Sequence, residues 1–193
     1  MNEHHHHDDP IRAAFLESCR ADAETICQNS DCIRISPDAS SGHPPHTYQG
    51  VLRGAQHYVR DADGAIVVTD RPIHFQVHFG EDYLRSLDDN LQFRVLSTSR
   101  HLVHPNVSGG VVCLGGRFRP GTRLRSVTEQ FYAIVTSRVA ATQHPFDLPA
   151  AEFYLDQIEV IRNFQNEPLW RRPLTTSTRV EEISSAQPHQ ESR

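Results

Sequence analysis

Not one lysine occurs in the 193 residues; all 19 basic side chains are arginine. A chain of this length ordinarily carries on the order of ten lysines. Its surface therefore offers no ε-amine, and arginine supplies the positive charge without a free-base nucleophile. No apolar run approaches the roughly 20 residues of a membrane-spanning helix. No signal peptide precedes the first helical pattern, so no membrane partner is expected. The net charge is −5 and there is no basic stripe interleaved with aromatics, which argues against nucleic acid as a partner. Cysteine is sparse. Cys19, Cys27, Cys32 and Cys113 include no Cys-x-x-Cys pair, and without a secretory signal they read as reduced thiols of a cytoplasmic protein. Hydrophobic residues make up only 37% of the chain, and its two polar ends account for much of the shortfall. Residues 1–10, with a four-histidine run, and 165–193 lack periodicity and are predicted to be flexible. Residues 11–164 are left as one domain.

What is present reads as helix, then strands, then helices. Ile11, Phe15, Cys19 and Ile26 recur at helical spacing over 11–29, and Asp8, Asp9 and Pro10 suit a helix start. Short alternating stretches follow at 32–36 and 47–54, and 56–68 predicts a hairpin turning at Asp63-Gly64. Residues 73–79 alternate Ile73, Phe75, Val77 and Phe79 with polar residues, the clearest half-buried strand, and 91–96 repeat the pattern. Beyond residue 113 the pattern turns helical: 125–141 with Ser126 as a cap, then 150–164 with Pro149 in the first turn. The order predicts an α+β domain. It has an N-terminal helix, an antiparallel meander of about four strands, an irregular stretch carrying Cys113 and two C-terminal helices.

Cys19, Cys27 and Cys32 sit on elements that must face a core and are predicted to be structural. Cys113 differs, because glycine pairs flank it at 109–110 and 115–116 and mark a loop. Three readings compete for it. A valine-flanked cysteine suits a core. A metal site would recruit His101, His104 and Cys113, with His43 and His46 from "HPPH", although the thiolate count is low for structural zinc. A nucleophile would use Asn106 as an amide donor to an oxyanion. No His–Asp pair points at Cys113 as its base, which disfavours a thiol hydrolase. A thiol that only accepts and passes on an activated acyl group needs a base far less.

His104-Pro105-Asn106, followed by a glycine turn and then Cys113-Leu114, resembles the active-site stretch of ubiquitin-conjugating enzymes. "YQGVLRG" and "VHFGEDYL" are similar to that family's "WQATIxG" and "IHFPxDYP" strands. Phe118-Arg119-Pro120 falls where the family has Trp-Ser-Pro, and "HPFDLPAAEFY" resembles "DPLNPEAAxxY". The resemblance runs in the family's order over about 11–163. The chain departs from the pattern in several places. "LRSLDDN" replaces the proline pair after "DYP", the turn before Cys113 is shorter, and the hairpin around Asp63-Gly64 is an insertion. The gate aspartate is replaced by His144, with Asp147 close by. Such divergence resembles the bacterial relatives of the family, which are often encoded in phage-defence modules.

The resemblance implies a UBC-like fold and a transferase that needs no cofactor and no metal. Cys113 would take a ubiquitin-like modifier from an activating enzyme as a thioester and pass it to an amine on a protein target. Asn106 would stabilise the oxyanion or hold the loop that does so, and His104 would fix the loop by hydrogen bonds. His144 or Asp147 would position or deprotonate the amine. Two alternatives remain open here: a non-catalytic UBC-like binding module, and an unrelated metal or thiol protein.

Overall fold

The computed structural model describes residues 9–87, 90–96, 102–115 and 118–171. Helix α1 spans Pro10–Asn29, and Asp9 caps it by accepting the Ile11 N–H at 2.9 Å. Strands β1 (Ile33–Pro37), β2 (Thr47–Leu52), β3 (His57–Arg60), β4 (Ile66–Thr69), β5 (Ile73–Phe79) and β6 (Leu91–Leu96) follow. Next come β7 (Val107–Ser108), β8 (Val111–Val112), α2 (Leu124–Val135), α3 (Leu148–Asp156) and α4 (Ile158–Arg162). Six strands form one antiparallel sheet in the order β1-β2-β5-β6-β8-β7, and β3-β4 form a separate ribbon. The expected meander is thus present as β1, β2, β5 and β6, with the ribbon inserted between β2 and β5.

Alternation in β5 sends Ile73, Phe75, Val77 and Phe79 to the helix side of the sheet, all fully buried. They meet Leu16, Cys19, Ala23 and Ile26 from α1 and Val127, Phe131, Ile134 and Val135 from α2. Phe131 stacks on Phe93 at 4.4 Å and lies 4.9 Å from Phe75. Gly50 in β2 is glycine for want of room: a Cβ there would sit 2.4 Å from Phe75 Cζ. Cys19 and Cys32 are buried and Cys27 is half-buried, as expected of core thiols.

Three sequence expectations need correction. Ser126 does not cap α2. Asp22, buried on α1, accepts the Arg125 N–H at 3.2 Å and pairs with the Arg123 guanidinium, so the cap comes from a distant residue. The same helix stops at Val135 rather than 141, because Ser137 takes φ 57°. The last predicted helix is two helices, broken at Gln157, so three helices follow Cys113 among the described residues instead of two.

The boundary expected at 164 also moves. Leu169 is buried, and Trp170 packs on the main core while its indole N–H donates to Glu129 at 3.2 Å. The Tyr132 hydroxyl donates to the Glu167 carbonyl, and Arg171 pairs with Asp31. Asn166 accepts the Gln56 N–H at 2.6 Å. Residues 165–171 therefore belong to the folded unit. The flexibility expected of 1–8 and 172–193 falls outside the described residues.

Candidate active site

The six residues between Asn106 and Cys113 form one tight hairpin. Val107 pairs with Val112 and Ser108 with Val111, and Gly109-Gly110 turn the chain with φ 56° and 80°. Two successive positive φ values are those of a two-residue hairpin turn, which glycine adopts without strain. The register puts residue 106 opposite residue 113. The Cys113 N–H donates to the Asn106 carbonyl at 2.7 Å, and Asn106 Nδ2 donates to the Cys113 carbonyl at 3.0 Å. The stretch read as a loop is a clamped hairpin, and Cys113 leaves its end exposed.

Asn106 is buried, and its Oδ1 accepts the Ala141 N–H at 2.9 Å. Its amide thus ties two backbone segments, the one at Cys113 and the one after α2. The Asn106 N–H in turn donates to His104 Nδ1 at 3.0 Å. That bond leaves the His104 proton on Nε2. His104 is fully buried, with its ring 4.9 Å from Tyr154, and burial pushes its pKa down to about 3. The polar backbone of Val139 and Ile134 offsets that burial only in part. The geometry suits a strut for Asn106 and not a proton acceptor.

The segment carrying His144 and Asp147 reaches the same tripeptide. The N–H groups of Phe146 and Asp147 both donate to the Pro105 carbonyl, at 2.8 and 3.1 Å. His144 is exposed on that segment. The Asp147 carboxylate caps α3, accepting the Ala150 N–H at 2.9 Å. Sequence reasoning missed this capping role, although Asp-Leu-Pro before an apolar run is an N-terminal helix signature. It also missed Arg60, which comes from the inserted ribbon to line a cleft with Val107, Gly109, Gly110 and Asp147. Among the described residues no three His, Cys, Asp or Glu side chains are grouped to hold a metal. His101, named in the metal reading, lies outside those residues, and the His104 Nδ1 is already occupied.

The buried histidine has a consequence for stability. Its folded pKa lies below the unfolded value of about 6.5, so the unfolded chain binds more protons between those values. Its contribution is present above pH 6.5 and is lost as pH falls toward 3. His57, buried on β3, is shifted in the same direction by burial. Denaturant melts at pH 7.5 and 5 are expected to show a loss of about 2 kcal/mol attributable to His104. His104→Gln is expected to flatten that difference, and an unchanged difference would contradict the buried neutral state.

No protein-family model matches this chain, and no curated protein does. The fold does match solved structures. A ubiquitin-conjugating enzyme domain from Toxoplasma gondii aligns over 77% of this chain and 90% of its own, with a TM-score of 0.50 and 15% identity. Laid over that architecture, the hairpin that joins Asn106 to Cys113 belongs to a chain with the fold of the ubiquitin-conjugating enzymes.

Proposed function

We propose that this protein is a conjugating enzyme for a ubiquitin-like modifier, with Cys113 as the carrier thiol. The carrying observation is the pairing of an exposed cysteine with a buried asparagine that grips it through the backbone. An activated acyl group would exchange onto the Cys113 sulfur. A target amine then attacks the thioester carbonyl, the C–N bond forms, and the C–S bond breaks with the thiolate leaving. The amine proton passes to solvent or to a group on the His144–Asp147 segment. The exchange is nearly balanced in energy, so a pre-formed imidazole base beside the thiol is not required. The partners are the modifier, an activating enzyme and a protein target, and a bacterial defence module is the setting the divergence favours. The test is incubation with an activating enzyme, ATP and the modifier. A higher-mass species that collapses on adding thiol reductant supports the reading, and no such species with an active activating enzyme contradicts it.

Asn106 is assigned as a positioning residue. Asn106→Ala removes two hydrogen bonds from a buried site and is expected to cost about 2–3 kcal/mol. Transfer to amines is expected to slow about 10²-fold. A smaller loss in charging would assign the larger share of its effect to the attack step; equal losses would assign it to loop fixing alone.

The missing lysines acquire a reason under this reading. A thioester on an exposed cysteine is open to attack by any ε-amine that reaches it, and this surface presents none. Arg119→Lys, at an exposed position past Cys113, is expected to give a self-adduct that survives reductant. Normal charging without such an adduct after long incubation, in several lysine variants, would contradict protection from self-conjugation.

A further inference from the structure

The β3–β4 ribbon is separate from the main sheet, yet it reaches the active-site tripeptide by two routes. One is backbone. Val59 bridges Leu102, and the Tyr58 carbonyl accepts the Val103 N–H at 2.9 Å, one residue before His104. The other is a line of rings. Tyr58 is buried and makes T-shaped contacts with Phe153 at 4.9 Å and Tyr154 at 5.8 Å. Tyr154 in turn meets the His104 ring at 4.9 Å, again T-shaped. We infer that the ribbon braces the active-site tripeptide, and that Tyr58 is the positioning residue through which it does so.

The two routes fix different things. The backbone bonds hold residues 102 and 103, whereas the rings hold the plane of the imidazole. The Asn106 N–H donates to His104 Nδ1 at 3.0 Å, and a ring held by that bond alone could still tilt about it. Tyr154 limits the tilt, and it is itself held by Tyr58 and by Ser137 Oγ, 3.1 Å from its hydroxyl. T-shaped ring pairs are favourable at these separations and close-packed, so removing one ring loosens the next. Tyr58, Val103, Ala150 and Tyr154 form a cluster of their own, apart from the main core, so loosening it leaves the sheet packed.

The Tyr58 hydroxyl takes no part. Among the described residues this buried oxygen has no hydrogen-bond partner, so the ring carries the whole contact. Phenylalanine is therefore a conservative replacement and alanine a disruptive one. His104 supports Asn106, and Asn106 grips the Cys113 carbonyl through Nδ2, so a tilted imidazole is felt at the clamp. The effect of Tyr58 on transfer rests on the carrier role proposed for Cys113; its effect on His104 does not.

Two readouts separate these effects. Long-range proton–nitrogen NMR spectra of the histidine rings are recorded at neutral pH, with His104→Gln for assignment. The parent is expected to show His104 as one neutral tautomer with its proton on Nε2. Tyr58→Ala is expected to bring the two ring-nitrogen shifts closer together as the other tautomer becomes populated, and Tyr58→Phe to restore the parent pattern. Charged protein is then mixed with an amine. Tyr58→Ala is expected to slow transfer by roughly fivefold or more, within the ~10²-fold that a 1 Å misplacement can cost. Tyr58→Phe is expected to transfer as the parent does. Leu169→Ala, which weakens the main core instead, is expected to change neither readout. If the alanine variant does not fold, Tyr58→Leu, which keeps apolar bulk and loses the ring, is read in its place. An unchanged His104 pattern without the ring overturns the proposal. So does a phenylalanine variant that behaves like alanine, or a Leu169→Ala that shifts His104 equally. Failure to form any thioester contradicts the carrier role alone and leaves the NMR spectra to decide the brace. A thioester that Tyr58→Ala passes on at the parent's rate overturns the brace's part in transfer.

Discussion

Cys113→Ala is expected to abolish every reductant-sensitive adduct while leaving the protein as stable as the parent. The loss of function follows from the loss of the only exposed thiol among the described residues. The preserved stability follows from how the hairpin is held. Both contacts between residue 113 and Asn106 use the backbone of residue 113, so trimming its side chain leaves the clamp in place. An exposed substitution of this kind shifts stability by less than about 0.5 kcal/mol. Cys113→Ser is expected to keep the fold too, and to replace the thioester by an ester that resists thiol reductant. The other cysteines give the reverse result. Cys19 is fully buried, and burial pushes its thiol pKa up to about 12, so it is no nucleophile at neutral pH. Cys19→Ala is expected to leave a small cavity costing about 1–2 kcal/mol, with charging retained. Urea melts beside a gel-shift charging assay read both quantities on the same preparations.

Ending the chain at Phe164 is expected to destabilise the domain by about 5 kcal/mol, much of the 5–15 kcal/mol that holds an average domain folded. Removing Leu169 gives up about 2 kcal/mol of apolar burial, and the Trp170 ring adds a comparable amount. The Tyr132 hydroxyl and the Gln56 N–H then lose their partners in partly buried surroundings, at roughly 1 kcal/mol each. Arg125, stacked 5.0 Å over the Trp170 ring, loses that contact as well. Leu169→Ala tests the same docking more gently and is expected to cost about 2–3 kcal/mol. A truncated chain melting with the parent would return 165–171 to the tail that composition alone assigns.

The docking was hard to read because Leu169 and Trp170 are two adjacent apolar residues in a polar stretch, with no period to announce a buried face. Strands β5 and β6 were legible to the residue for the opposite reason: apolar residues fill every second position, and that face is wholly buried in β5 and buried at Phe93 and Val95 in β6. The end of α2 was misjudged because Val139, Ala140 and Ala141 continue its apolar composition. The positive φ of Ser137 and the grip of Asn106 on the Ala141 N–H are tertiary events that composition does not carry. At the site, the residue types around Cys113 were legible as a motif. Their geometry was not. Two-residue strands are below the length at which alternation means anything, so only the paired glycines hinted that 106 and 113 stand opposite each other. The capping of α2 by Asp22, about a hundred residues away, left no local trace at all.

Mapping the adduct on the parent protein decides whether Cys113 is the carrier thiol. The protein is charged with activating enzyme, ATP and modifier, digested at low pH without reductant, and its peptides are weighed. A single acyl adduct is expected on the peptide containing Cys113, lost when thiol reductant is added before digestion. An adduct on Cys19, Cys27 or Cys32 would contradict it, as would an uncharged Cys113 that iodoacetamide still alkylates fully.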